Sequence, residues 1–202
     1  MLVQASRLLG TKVLSMQSTS SVGAVSQPIV DPADCKIIGF FLSGPLVDRG
    51  ANILDTKSIR EYSRYGMVID SINELVNPDD VIKISKVLEL NFNLIGLKVE
   101  TKKGTKLGKV SDYTVTSEDY MVQQIIVKRP IIKSLVDPEL TIPRKEIVEI
   151  TDDKIIVKDE ESVIKKKAAN EDFIPNFVNP FRKTERDFVQ SQSEIPDDKD
   201  TE

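Results

Sequence analysis

The chain has 202 residues, 40% of them hydrophobic and 30% charged, which suits compact cores of modest size under a soluble surface. Its net charge of -4 argues against a general nucleic-acid binder, which needs a basic field, and the first evidence of any local excess is slight: ten Lys/Arg against eight Asp/Glu between Lys98 and Glu149. No apolar run approaches the roughly 20 residues that cross a bilayer, and the single Cys35 has no partner for an internal disulfide, so a soluble cytoplasmic protein without a transmembrane segment is expected.

In the first half, short apolar runs separated by turn residues predict strands over 11–15, 22–30, 35–43, 58–63 and 67–70. Asn77 then supplies a cap, Pro78 suits the first helical position, and Asp79 and Asp80 complement the positive end of the dipole. Val81, Ile84 and Leu88 fall on one face with Val87 beside them, so a helix is predicted from about 78 to 90. An amphipathic stripe of this kind ordinarily covers a neighbouring core, and it would also hold two flanking domains at a fixed angle.

The second half has cleaner turns. Residues 98–101 and 106–116 read as strands around a turn at Gly104, and Gly108 marks a bulge or close backbone approach. A strand over 120–128 ends at Pro130, which cannot donate to a ladder. A connection over 131–139 leads to a closing hairpin, 145–150 and 154–158, turned at Asp152 and Asp153. Residues 160–169 suit a short helix. From Asn170 the chain is polar, broken by Pro175, Pro180 and Pro196, and is expected to be disordered.

The halves repeat one another. Leu8-Leu9-Gly10-Thr11-Lys12-Val13 returns as Leu94-Ile95-Gly96-Leu97-Lys98-Val99, and Val22-Gly23-Ala24-Val25-Ser26 returns as Leu107-Gly108-Lys109-Val110-Ser111. Asp34 corresponds to Asp119, Cys35 to Tyr120, and Met67-Val68-Ile69 to Ile155-Ile156-Val157. The copies differ by one residue between their first glycines, a slip that a turn absorbs. The expected architecture is all-β: one small barrel over 5–76, a linker helix over 77–91, a second barrel over 92–160 and a flexible tail over 161–202.

The pattern Leu-x-Gly-x-Lys-Val, a turn, then (Val/Leu)-Gly-x-Val resembles the PRC-barrel family. That fold occurs in the cytoplasmic part of the photosynthetic reaction-centre H subunit and in the C-terminal half of the ribosome maturation factor RimM. The second copy follows the family's opening hairpin closely through Gly96, Lys98-Val99, Gly104, Gly108 and Asp112-Tyr113, and the first keeps Gly10, Lys12-Val13, Gly23 and Val25. The resemblance implies barrels that serve as docking surfaces and implies no chemistry of its own.

Catalytic signals are weak. There is no histidine, and Cys35 reads as a small core residue. Gly39-x4-Gly44 is followed by Pro45-Leu46, and Gly104-x3-Gly108-Lys109-Val110 is one residue short of a phosphate loop and has no hydroxyl for magnesium. The acidic pairs Asp79-Asp80, Asp152-Asp153 and Asp197-Asp198 each have a local role as helix start, turn or solvated tail. No enzyme, cofactor or metal site is expected. Candidate partner-binding residues are Phe173, Phe177 and Phe181 in the Pro- and Asn-containing tail, and the basic group Lys128, Arg129, Lys133, Arg144 and Lys145. These predict a cytoplasmic adaptor for protein partners, with an accessory factor of ribosome assembly or RNA processing as the alternative and DNA not expected.

Overall fold

A computed structural model describes residues 1–47, 50–130 and 138–158. These residues are mostly β, in two seven-stranded sheets with few and short helices. Residues 161–202, where the tail was expected, lie outside the described residues.

The first sheet contains β2 (Lys12–Ser15), β3 (Ser20–Asp31), β4 (Lys36–Ser43), β5 (Ile53–Asp55), β6 (Glu61–Ser63), β7 (Gly66–Ile69) and β8 (Leu75–Val76), in the order β6-β7-β2-β3-β4-β5-β8. The second contains β9 (Lys98–Thr101), β10 (Lys106–Thr116), β11 (Val122–Lys128), β12 (Glu139–Pro143), β13 (Ile147–Ile150) and β14 (Lys154–Val157), in the order β13-β14-β9-β10-β11-β12. Six strands of the first order, β6-β7-β2-β3-β4-β5, correspond one for one to the six of the second, and β8 extends the first sheet. In each, β2 or β9 runs parallel to β7 or β14, Val13 against Met67 and Val99 against Ile155, and antiparallel to β3 or β10. Among the described residues no ladder joins the end strands, so each sheet stays open at one seam. Its short edges, three residues in β6 and two in β8, limit unwanted strand addition.

The repeated residues have repeated backbone jobs. Gly10 and Gly96 take left-handed conformations with φ of 75° and 90°. Their amides then reach the carbonyls of Val25 and Val110, at 2.8 and 2.9 Å. Both long strands bulge just beyond these valines, between Val25 and Gln27 and between Val110 and Asp112. The serine in each bulge, Ser26 or Ser111, donates its hydroxyl across to the Phe41 or Ile126 carbonyl at 3.0 and 3.2 Å. The Gly-x-Val-Ser motif is thus a bulge with its own hydrogen-bond partner.

Three features depart from the sequence expectation. First, residues 2–4 form β1 (Leu2–Gln4), and β1 pairs with the second sheet, Val3 opposite Val115 on β10. The N-terminus of the first copy therefore completes the second, because β10 is longer than β9 and leaves an edge that β1 fills. Secondly, the linker helix expected from about 78 starts later, as α2 (Ile82–Glu89), because Pro78–Asp80 form a 3-10 turn before it. Its buried Ile84 and Val87 pack on Ile29, Ile38 and Ile53 of the first sheet, so it covers a sheet face. Lys83 fastens it there, with its ammonium 2.9 Å from the buried carboxylate of Asp31 and 3.2 Å from Asp34. Hydrogen bonds to Asp31 and then Asp34 hold the Lys83 pKa above the ordinary lysine value. Thirdly, the strand expected from residue 145 begins earlier as β12 and breaks at a 3-10 turn, Arg144–Glu146, before β13.

The expected pair of separate cores is also replaced by a shared one. Buried side chains from both sheets, among them Leu8, Val13, Phe40 and Met67 from the first copy and Leu94, Val99, Ile125 and Ile155 from the second, form one contiguous cluster. Among the described residues an isolated bridge between Lys36 and Met121 joins the backbones of the two sheets. There the Ile37 amide donates to the Tyr120 carbonyl and the Val122 amide to the Cys35 carbonyl, both at 3.0 Å. Because Cys35 corresponds to Tyr120, and Ile37 to Val122, this contact has a local two-fold relation. Tyr120 continues it inward, meeting Phe40 edge-on with ring centroids 5.5 Å apart.

Gly108 has the tightest backbone approach of the repeat motif. It has φ of 148°, and an added Cβ would lie 2.1 Å from the Lys128 carbonyl oxygen. Gly104 also has positive φ, 80°, but a Cβ there meets nothing within 4 Å. Gly108→Ala is therefore expected to lower stability by about 3 kcal/mol or more, and Gly104→Ala by only about 1 kcal/mol. Urea titration of the two variants checks this order.

Candidate functional site

Among the described residues a concavity lies where the two copies face each other. Helix α1 (Ala5–Leu8) rests on β10, and Ser6 ties it there: its hydroxyl donates to Asp112 at 2.6 Å and its amide to the same carboxylate at 3.2 Å. Asp112 also accepts the Tyr113 amide at 2.8 Å. Beside this knot opens a cleft of about 430 Å³, lined by Leu9, Ser26, Pro28, Ile95, Ser111 and Asp112 among others. It adjoins a second hollow of about 510 Å³ between β3 and the end of α2, and the two share Gln27, Pro28, Val30, Phe92 and Asn93. They form one groove between the copies.

The lips of the groove come from the repeated motif itself. Leu9 and Ile95 precede the equivalent glycines Gly10 and Gly96 and remain 50% and 41% exposed, although Leu8 and Leu94 beside them are fully buried. In Leu-Leu-Gly and Leu-Ile-Gly one aliphatic side chain thus enters the core and the next is left at the surface. Pro28 lines the wall from within β3. Proline has no amide to give, which fits a stretch of strand whose free side faces a groove. The groove therefore offers apolar lips, hydroxyls at Ser26 and Ser111 that are already engaged, and one carboxylate held by three donors.

The predicted basic group is not one surface. Lys128 stands opposite Glu139 and Gln124 opposite Pro143, so Lys128 and Arg144 lie at opposite ends of the β11–β12 ladder. Arg144 is half-buried, and its Nη1 donates to the Cys35 carbonyl at 3.1 Å, beside the bridge that joins the sheets. Lys145 is exposed, and its carbonyl accepts Lys158 Nζ at 2.7 Å. Arg129 is half-buried. Lys133, Phe173, Phe177 and Phe181 lie outside the described residues.

Cys35 is where the sequence places it, in the core, 6% exposed. Burial pushes its thiol above the ordinary range, against a smaller opposite pull from Arg144. Burial likewise raises the hydroxyls of Tyr113 and Tyr120, so both stay neutral. Among the described residues no group of His, Cys, Asp and Glu converges as a metal site would require, and no helix is long and apolar enough to cross a membrane.

Residues 89–164 match the family model of the PRC-barrel domain, so the second copy is a PRC-barrel domain. No curated protein resembles the chain closely enough to count as a match.

Sequence reasoning missed the groove, since its two walls are about 85 positions apart in the chain. The exposed aliphatic before each glycine was the available signal. It also took Arg144 for a surface charge. Arg144→Met is expected to lower stability by about 1–2 kcal/mol, because the Cys35 carbonyl loses a charged donor, whereas Lys145→Met should change it by less than about 0.5 kcal/mol. Thermal or urea unfolding of the two variants separates a structural arginine from a surface one.

Proposed function

We propose that this chain is a non-catalytic cytoplasmic adaptor, built from two PRC-type barrels, that holds a protein partner in the groove between them. The shared strand order, the paired bulges and the paired left-handed glycines support reading the first copy as a second barrel of the same type. The observation that carries the binding reading is the pair of exposed aliphatic side chains, Leu9 and Ile95, on opposite lips of one groove. Exposed aliphatic side chains beside polar groups that are already hydrogen-bonded offer apolar area that a protein partner can bury. Catalysis has less support: Asp112 is occupied by Ser6 and Tyr113, Cys35 is a buried neutral thiol, and the chain has no histidine. The tail residues Phe173, Phe177 and Phe181 would add a second, peptide-like contact to the same function.

Affinity purification from the native cell, with nuclease treatment, tests this reading. A discrete protein should stay bound in stoichiometric amount. Its recovery should fall about tenfold or more with Leu9→Asp or Ile95→Asp, and also with the double variant Phe177→Ala/Phe181→Ala. Retention of every bound protein by both groove variants, or loss of all of them on nuclease treatment alone, would contradict it.

A further inference from the structure

The outer face of the second sheet carries an arrangement that neither fold nor groove requires. In the ladder register Lys154 lies opposite Lys98, Lys98 opposite Lys109, and Lys109 opposite Lys128. Four lysines thus form one row across β14, β9, β10 and β11. Their strand neighbours Ile155, Val99, Val110 and Val127 are buried, so the alternation of a strand turns all four outward. At about 4.8 Å between strands the row spans roughly 14 Å.

Directly opposed like charges destabilise a sheet, and this row does little to neutralise itself. Lys154 has a distant carboxylate, Glu100 at 3.5 Å. Lys98, Lys109 and Lys128 have no ion-pair partner among the described residues, and Glu139, which ends the row opposite Lys128, makes none. The first sheet is an internal control. The same ladder positions there hold Lys12, Ala24 and Ser43. The fold is therefore built equally well with one lysine, and the row is an addition confined to the second copy.

We propose that this row is a binding surface for the phosphate backbone of double-stranded RNA. Lysine is depleted from protein interfaces, whereas phosphate contacts are made by such point charges. Single-stranded sites stack bases on aromatic rings, and between Lys98 and Lys158 the described aromatic residues are Tyr113 and Tyr120, both buried. The grooves of B-form DNA admit a helix or a narrow ribbon, while an A-form duplex offers a wide, shallow groove with phosphate rims that a multistranded face can span. Binding is then independent of base sequence and governed by salt. It occurs on a chain of net charge -4, so it reflects the placement of the lysines and not overall charge. None of the four lysines lines the groove, and the two readings stand or fall independently.

The test is binding of the full chain to an RNA duplex of about 16 base pairs, measured across a salt series, beside a DNA duplex of equal length and polyglutamate. The wild type should bind the RNA duplex in low salt and prefer it to both other polyanions. The triple variant Lys98→Ala/Lys109→Ala/Lys128→Ala should lose about tenfold or more in affinity, with a salt dependence flatter by about three charges. Its unfolding midpoint should be equal or higher, since repulsion is relieved, which excludes misfolding as the cause. Lys12→Ala should bind as the wild type does. Unchanged affinity in the triple variant, equal loss in Lys12→Ala, or binding to DNA or polyglutamate as tight as to RNA would overturn the proposal.

Discussion

A short reciprocal backbone contact, beside the β1–β10 ladder, joins the two copies, and its geometry governs what surrounds it. Cys35 and Tyr120 both adopt left-handed conformations, with φ of 50° and 57°, although neither is glycine. Such residues cost about 1 kcal/mol or more each and persist when their surroundings fix them. Here each turns its chain so that its own carbonyl accepts from the other copy, from Val122 and Ile37 respectively. Arg144 adds a second donor to Cys35, and Phe40 packs on the ring of Tyr120. Equivalent positions meeting one another require a two-fold relation, and that relation brings the two apolar interiors into contact.

From this contact follows the exchange of outer elements. The N-terminal strand and helix α1 of the first copy lie on β10 of the second, while α2, which leads into the second copy, covers the first sheet. The second sheet is finished by residues of the first copy, and the first sheet by the segment that links the copies. One shared core with exchanged coverings leaves little for either half to retain alone, since its exposed face would include side chains such as Leu8 or Ile84, at most 1% exposed in the whole chain. The groove with Leu9 and Ile95 at its lips is the part of the junction that this exchange leaves open.

How much of this was legible in the sequence depends on the range of the interaction. Gly10 and Gly96, Gly23 and Gly108, and the valines after them mark turns and bulges whose causes lie within a few residues, and they placed β2, β3, β9 and β10. Gly104 and Asp152-Asp153 likewise placed the two hairpins of the second sheet. Strand β1 has only three residues and too little alternation to show, and its partner is 110 to 114 positions away. Arg144 looked like one charge among several until the backbone beside it was known. The lysine row is invisible along the chain, where its members stand at 98, 109, 128 and 154, and appears only when the register aligns them.

Amide hydrogen exchange at Ile37 and Val122 in the native chain tests the central claim most directly. If the halves share one core closed by this reciprocal contact, both amides exchange only through global unfolding, with equal opening free energies that fall together when either half is destabilised. Contradiction would be an amide that exchanges far faster than its mate, or a variant in one half that leaves the other half's protection intact.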